Sequence, residues 1–148
     1  MIERDYLMRL LQQLATVMRR ILRLQEQEKY DEAQQELAQA PGRLLGLERE
    51  LLVSLAPATA AALLGKREKI KIAARLLQAE AELAGRRGDP ELAHSRRQNA
   101  LELYLEALVL AAQIDADDRI MLRAWAAEGE REALAERYQR LLAEFLAE

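Results

Sequence analysis

Few residues of this chain have side chains and spacings suited to chemistry, and its one histidine is the first to consider. His94 follows Glu91 by three positions, so the two side chains share one face of a helix. Ferritin-like di-metal bundles use this Glu-x-x-His spacing twice, together with further glutamates. Because the sequence has one copy, we expect His94 to be a surface histidine. Metal binding through Glu91 and His94 is kept as an alternative function, which a homodimer carrying two copies would favour.

Two arginine pairs and one aspartate cluster are weaker candidates. The pairs at 86–87 and 96–97 flank a turn and could clamp an anion, although exposed arginine pairs are common. The aspartates at 115, 117 and 118 fit a boundary between two helices. A calcium loop would require regularly spaced oxygen ligands and a terminal glutamate.

The remaining motifs of enzymes and cofactor sites are missing from the sequence. It has neither GxxxxGK[ST] nor GxGxxG, and its single histidine does not support a Ser-His-acid set. It has no cysteine, which excludes disulfides, thiolate nucleophiles and cysteine metal sites. We therefore predict no catalytic residue, no metal and no cofactor, and a protein that is not an enzyme.

The charge pattern bears on the class of partner. The net charge is -3, but residues 66–97 hold nine basic and five acidic residues, while 115–148 hold nine acidic and five basic. We interpret both as solvated helix faces. The alternative is that the basic hairpin docks an acidic partner or the acidic tail of a second copy. No aromatic residue lies between Tyr30 and Tyr104, and binding of single-stranded nucleic acid requires aromatic stacking, so we predict no nucleic-acid partner.

The N-terminal segment and the apolar runs predict the compartment. Charges at positions 3, 4, 5 and 9 exclude the apolar region of a signal peptide. No apolar run reaches the length of a membrane span. We expect no membrane association and a cytoplasmic location, and the excess of arginine over lysine is typical of a bacterial protein with a GC-rich genome.

The fold class follows from composition and periodicity. Leu, Ala, Glu, Arg and Gln, which are good helix formers, dominate, whereas strand-forming residues are few. We predict an all-α protein, an irregular bundle of six to eight helices forming one domain over residues 1–148. The first helix, about 2–27, carries a seam at Leu7, Leu10, Leu14, Val17, Ile21 and Leu24, with Leu11, Met18 and Leu22 widening it towards the core.

Proline and glycine predict most of the later boundaries. Pro41 should end or kink a helix that begins at Asp31. Pro57 should open a short helix that Gly65 closes. A long helix over 66–87 should end at a turn in which Gly88 is left-handed, Asp89 caps the next helix and Pro90 occupies its first turn. Further helices are expected over about 117–127 and around Leu134 to Phe145.

The helix after that turn is predicted to be the central pillar of the fold. Between Leu101 and Ala112 it carries charge only at Glu102 and Glu106, four residues apart. A helix that is apolar on most sides is buried by several neighbours. We expect this pillar to extend to about Ile114, so that a hairpin spans about 66–114.

The hairpin resembles a tetratricopeptide repeat. The segment GDPELAHSRRQNALEL has a Gly-Asp turn, then Ala93, and Ala100-Leu seven residues later, with Ala81 at the small-residue position of the preceding helix. KYDEAQQELAQA aligns with it, placing Ala33 and Ala40 against the same alanines. Glu80, Ala84 and Arg97 depart from the pattern, and the two segments are 60 residues apart rather than the roughly 34 of a tandem array. The pattern is therefore degenerate.

A second resemblance covers most of the chain. The opening MIERDYLMRLLQQL, followed by a KYDEA helix and an LLGL segment, is similar to an uncharacterised family of small bacterial all-helical proteins. That resemblance implies no activity.

Together these patterns predict a non-catalytic protein-interaction or scaffold module of unknown protein partner. By resemblance to repeat domains, Arg75, Gln78, Glu82 and Arg86 are the partner-binding candidates, in a groove beside the helix over 66–87. The alternatives are a structural protein that forms a homodimer through the seam of its first helix, and the metal protein described above.

Overall fold

A computed structural model describes residues 2–129 and 131–147, and within these ranges the chain is helical without strands. The predicted all-α class is confirmed. The helices are α1 Ile2–Glu26, α2 Tyr30–Leu45, α3 Arg49–Ser54, α4 Pro57–Leu64, α5 Arg67–Arg86, α6 Pro90–Val109, α7 Ala116–Glu128 and α8 Glu136–Leu146, with a 3₁₀ turn at Arg131–Ala133. One cluster of buried apolar residues includes members from all eight α-helices.

The hairpin of α5 and α6 lies at the centre, and its turn forms as predicted. Gly88 adopts φ 77°, a left-handed conformation that glycine reaches without a side-chain clash. Oδ1 of Asp89 accepts a hydrogen bond from the Leu92 amide at 3.2 Å, and Pro90 begins α6. The pillar prediction is also confirmed, because every residue from Leu101 to Leu108 except Glu102 is buried.

Alanines allow the helices to approach closely. Both alanine pairs spaced by seven residues, Ala33 with Ala40 and Ala93 with Ala100, have at most 1% of their surface exposed. A larger side chain at such a position would force the neighbouring backbones apart.

The seam of α1 packs inside the chain. Leu10, Leu14, Val17, Ile21 and Leu24 are buried in the common core, mainly beside α2. These residues are therefore not available to a second copy in the folded chain. The predicted widening of the seam is wrong at Leu11 and Leu22, which are about half exposed, because none of the described residues packs over that flank of α1 closely enough to bury them.

Two predicted helix ends are wrong. Of the two outcomes that Pro41 predicts, an end or a kink, the end does not occur, because the helix that begins near Asp31 continues through Pro41 to Leu45, where Gly46 ends it at φ 74°. Pro41 lacks the amide that would bond to the preceding turn, but it is buried, as are Leu44 and Leu45 beyond it. We infer that burial of this last turn outweighs the missing hydrogen bond.

The second incorrect boundary is the end of the pillar. Helix α6 ends at Val109 rather than Ile114. Val109 and Leu110 are exposed, so a longer helix would gain no further burial there. Residue Asp115 instead takes an extended conformation and caps α7 with a complete capping box.

Buried carboxylates connect this hairpin to the helices around it. Glu80 of α5 accepts hydrogen bonds from Arg49, at the start of α3, and from Arg96 of α6. Glu106 of α6 accepts a bidentate pair from Arg137 at 3.0 and 3.2 Å, and a third bond from the Tyr138 hydroxyl at 2.7 Å. Both carboxylates are buried, and charge-assisted bonds of this kind are the strong ones.

Replacing Ala100 with leucine tests the close approach of the helices. Since Ala100 has no exposed surface, we expect A100L to lower the free energy of unfolding by about 1–3 kcal/mol through overpacking. The exposed Ala124 of α7 provides the matched control A124L, which should change stability by less than about 0.5 kcal/mol. Urea denaturation measures both, and equal effects would contradict the packing account.

Replacing Glu102 with glutamine tests its electrostatic environment. Partial burial, and then repulsion by Glu106, raise the pKa of Glu102 above its ordinary value. A carboxyl group whose pKa is higher in the folded than in the unfolded state lowers the free energy of unfolding while it is ionised. That loss of stability disappears as the pH falls through the pKa of the folded state and then that of the unfolded state.

We therefore expect E102Q to be more stable than the wild type in urea at pH 7. The difference should disappear below about pH 4, where the carboxyl is protonated in both states. The exposed Glu144 supplies the control E144Q. A less stable E102Q at pH 7 would show that the charge is favourable where it lies.

Candidate functional site

The four predicted partner-binding residues lie along α5, but they do not share one environment. Arg75, Glu82 and Arg86 are at the surface, whereas Gln78 is buried. Nε2 of Gln78 donates to Oε2 of Glu128 at 2.7 Å, at the end of α7. The end of α7 thus reaches the middle of the predicted face, and Gln78 is not available to a partner.

A cavity of about 300 Å³ lies beside α5, between α1, α5, α6 and α7. Its floor contains the buried Ile72 and Tyr104, and its rim carries Arg75 on α5 and Asp117 on α7. The residues that line it are Leu11, Glu68, Lys71, Ile72, Arg75, Tyr104, Asp115, Asp117, Asp118 and Met121. Of the four predicted residues, Arg75 lines this cavity.

A second cavity of about 460 Å³ adjoins the first along α1. It shares Leu11 and Glu68 with the first, and Leu7 and Met8 add apolar surface. Met8 is 53% exposed and Leu11 is 44% exposed. We call the two adjoining cavities the α5 groove. Its apolar part is on α1, and its charged rim is formed by α5 and α7.

Asp118 fixes the wall that α7 forms. Its Oδ1 accepts hydrogen bonds from Lys71 Nζ and from the Tyr104 hydroxyl, both at 2.8 Å. Oδ2 accepts the Asp115 amide at 3.2 Å. Burial alone would raise the pKa of Asp118, but the bonds from Lys71, Tyr104 and Asp115 together bring that pKa below its ordinary value. Both oxygens accept hydrogen bonds from within the chain, so we interpret Asp118 as a structural carboxylate.

Tyr104 is held in its protonated form by the same contacts. Burial, followed by the hydrogen bond to Asp118 and the negative charge of that carboxylate, raises the pKa of Tyr104 well above its ordinary value. The ring packs edge-on against Trp125, with centroids 5.2 Å apart, and Lys71 Nζ lies 5.7 Å from the Tyr104 centroid. The floor of the groove is therefore a rigid aromatic surface beneath a lysine.

Among the described residues, Glu91 and His94, the proposed metal ligands, do not belong to a cluster of metal-binding side chains. Glu91 is exposed and His94 is partly buried. Among residues 2–129 and 131–147, no group of three or more His, Cys, Asp or Glu side chains could hold a metal ion.

Comparison of the chain with models of known protein families, with curated proteins and with solved structures finds no match. The likeness of the hairpin to a tetratricopeptide repeat therefore stays a prediction. Among the described helices, none is both long and apolar enough to cross a membrane.

The contributions of α1 and α7 to this site are not predictable from the sequence. The spacing of α1 predicts that Leu11 faces the core, and the aspartates at 115, 117 and 118 fit a helix boundary. That explanation is right for Asp115, which caps α7. The sequence feature that bears on the ion pair of Asp118 is a basic stretch at 66–71 together with an acidic cluster at 115–118. Opposite charges alone do not predict which of these residues pair.

Replacing Asp118 with asparagine should loosen the α7 wall. We expect D118N to lower the free energy of unfolding by about 2–3 kcal/mol at pH 7, because Lys71 loses its charged acceptor. Since folding lowers the pKa of Asp118, its stabilisation is complete above the unfolded value and is lost as the pH falls through the folded value.

The difference between wild type and D118N should therefore be constant from pH 7 to about pH 5 and narrow below about pH 4. Urea titrations at several pH values measure it. Asp117, which is exposed on the same rim, gives the control D117N with little effect on stability. A difference that persists unchanged below pH 3 would show that the carboxylate charge is not the source of the stabilisation.

Proposed function

We propose that the protein is a non-catalytic interaction module that binds an amphipathic helical segment of a protein partner in the α5 groove. The exposure of Met8, in the second cavity, and of Leu11, which lines both cavities, carries this proposal. Large apolar side chains left open in a groove are typical of sites that receive the apolar face of a helix. Methionine also adapts its shape to different apolar partners.

The charges of the rim specify the partner further. Arg75 forms no ion pair within residues 2–129 and 131–147, whereas Lys71 is neutralised by Asp118. Asp117 lies on the opposite side of the groove, on α7. The complementary segment therefore has apolar residues spaced by three and four, an acidic residue beside Arg75 and a basic residue beside Asp117. Complementary rim charges set orientation and association rate more than affinity.

The absence of cysteine suits a reducing compartment, so we place this interaction in the cytoplasm.

A photo-crosslinking residue at position 8 identifies the occupant of the groove. Leu63 of α4 is 62% exposed and lines neither cavity, so the same residue at position 63 is the matched control. In cells of the native host, position 8 should give an adduct that position 63 does not. The crosslinked peptide should carry the apolar spacing and the two charges described above.

A synthetic peptide with the crosslinked sequence then tests the geometry by fluorescence anisotropy. R75E should weaken its binding about tenfold if the acidic residue of the peptide contacts Arg75. Arg86 is exposed on the same helix but lines neither cavity, so R86E should leave the affinity unchanged. Equal adducts at positions 8 and 63, or equal effects of the two charge reversals, would contradict the proposal. An adduct composed only of this chain would replace it with self-association.

A further inference from the structure

A smaller pocket, separate from the α5 groove, lies on the other side of the Tyr104–Trp125 pair, between α6, α7 and the 3₁₀ turn. Its polar members are His94, Arg97, Gln98 and Arg131, and its apolar part includes Leu101 and Trp125, which are buried. The pocket thus combines two arginines and a histidine with an apolar wall, and none of the described residues that line it carries a carboxylate.

Arg97 is unlike the other arginines that reach into the interior. Arg49, Arg96 and Arg137 each donate to a buried carboxylate. The Nε of Arg97, by contrast, is buried and has no hydrogen-bond partner among residues 2–129 and 131–147. Arg97 also forms no ion pair within those ranges. A buried cationic donor left without an acceptor is costly, and it gains most from an anion that reaches it.

The walls of the pocket are fixed by hydrogen bonding and packing. Nε2 of Gln98 donates to the carbonyl of Ala133 at 2.9 Å, which holds the 3₁₀ turn that carries Arg131 beside α6. Trp125 is packed against Tyr104. His94 precedes Arg97 and Gln98 by three and four positions, so all three side chains emerge on one face of α6.

The size of the pocket limits what it can take. Its enclosed volume is about 10 Å³, which is room for about one water-sized atom. One oxygen of a carboxylate or phosphate fits this space, with the rest of the anion at the opening beside Arg131 and His94. An aromatic or sugar ring does not fit.

We propose that this pocket binds a compact oxyanion, a carboxylate or a phosphate, with Arg97 as its main donor and Arg131 and His94 beside it. The site is independent of the α5 groove. The two sites share no lining residue, so each proposal can fail without the other.

The chain supplies its own probes for the test. Trp125 is the single tryptophan and His94 the single histidine of the sequence, and both line the pocket. Titration of the full chain with inorganic phosphate, and separately with acetate, is followed by tryptophan fluorescence and by the imidazole proton resonances. Ionic strength is held constant with sodium chloride. We expect a saturable change with at least one of the two anions, and the tighter one identifies the class.

Two variants decide whether Arg97 is responsible. R97Q should weaken binding about tenfold or more, since it removes a charged donor, while R140Q, at an exposed arginine outside the pocket, should bind as the wild type does. Circular dichroism and the emission maximum of Trp125 check that R97Q is folded. A linear response to both anions, or equal affinities of wild type and R97Q, would overturn the proposal.

Discussion

The structure depends on carboxylates that are buried around the α5–α6 hairpin. Glu80, Glu106 and Asp118 have at most 7% of their surface exposed, and each links the hairpin to another helix. Glu80 connects it to α3, Asp118 connects it to α7, and Glu106 connects it to α8. Burying a carboxylate without partners would cost several kcal/mol. Each of the three instead accepts three or more hydrogen bonds.

The hydrogen bonds to these three carboxylates fix the positions of the outer helices more than they add to the free energy of unfolding. Leucine and alanine dominate the remainder of the core, and such side chains tolerate several packing arrangements of similar energy. A carboxylate that must meet its donors allows one register, because any shift leaves a buried charge unpaired. We infer that the three carboxylates select the arrangement of the outer helices, and that apolar burial provides most of the driving force.

The α5 groove follows from this arrangement. The bonds from Lys71 and Tyr104 to Asp118 hold α7 beside α5, so that the rim charges Arg75 and Asp117 remain open to a partner. The same helix carries Trp125 into the smaller pocket that contains His94, Arg97 and Arg131. One rigid helix thereby forms part of two separate surfaces, an apolar groove and a cationic pocket.

Structural features that depend on residues close together in the chain, such as turns and helix ends, could be predicted from the sequence. Glycine and proline positions predicted the turn at Gly88 and the short helix α4, and the charge-poor stretch from Leu101 predicted the buried pillar. Features that depend on distant residues were not predictable. Gln78 is buried and donates a hydrogen bond to Glu128, fifty residues later. Arg49 and Glu80 are 31 positions apart, and no local pattern indicates such a pair. The continuation of α2 past Pro41 depends in the same way on the core that covers it.

Amide hydrogen exchange of the variants E80Q, E106Q and D118N, measured helix by helix against the wild type, tests the role of the carboxylates most directly. If each carboxylate holds one outer helix, then exchange should accelerate about tenfold or more in α3 for E80Q, in α8 for E106Q and in α7 for D118N. Helix α5 should retain its protection in all three. Uniform acceleration across all helices in every variant would show that the carboxylates contribute only to global stability, and would contradict the account.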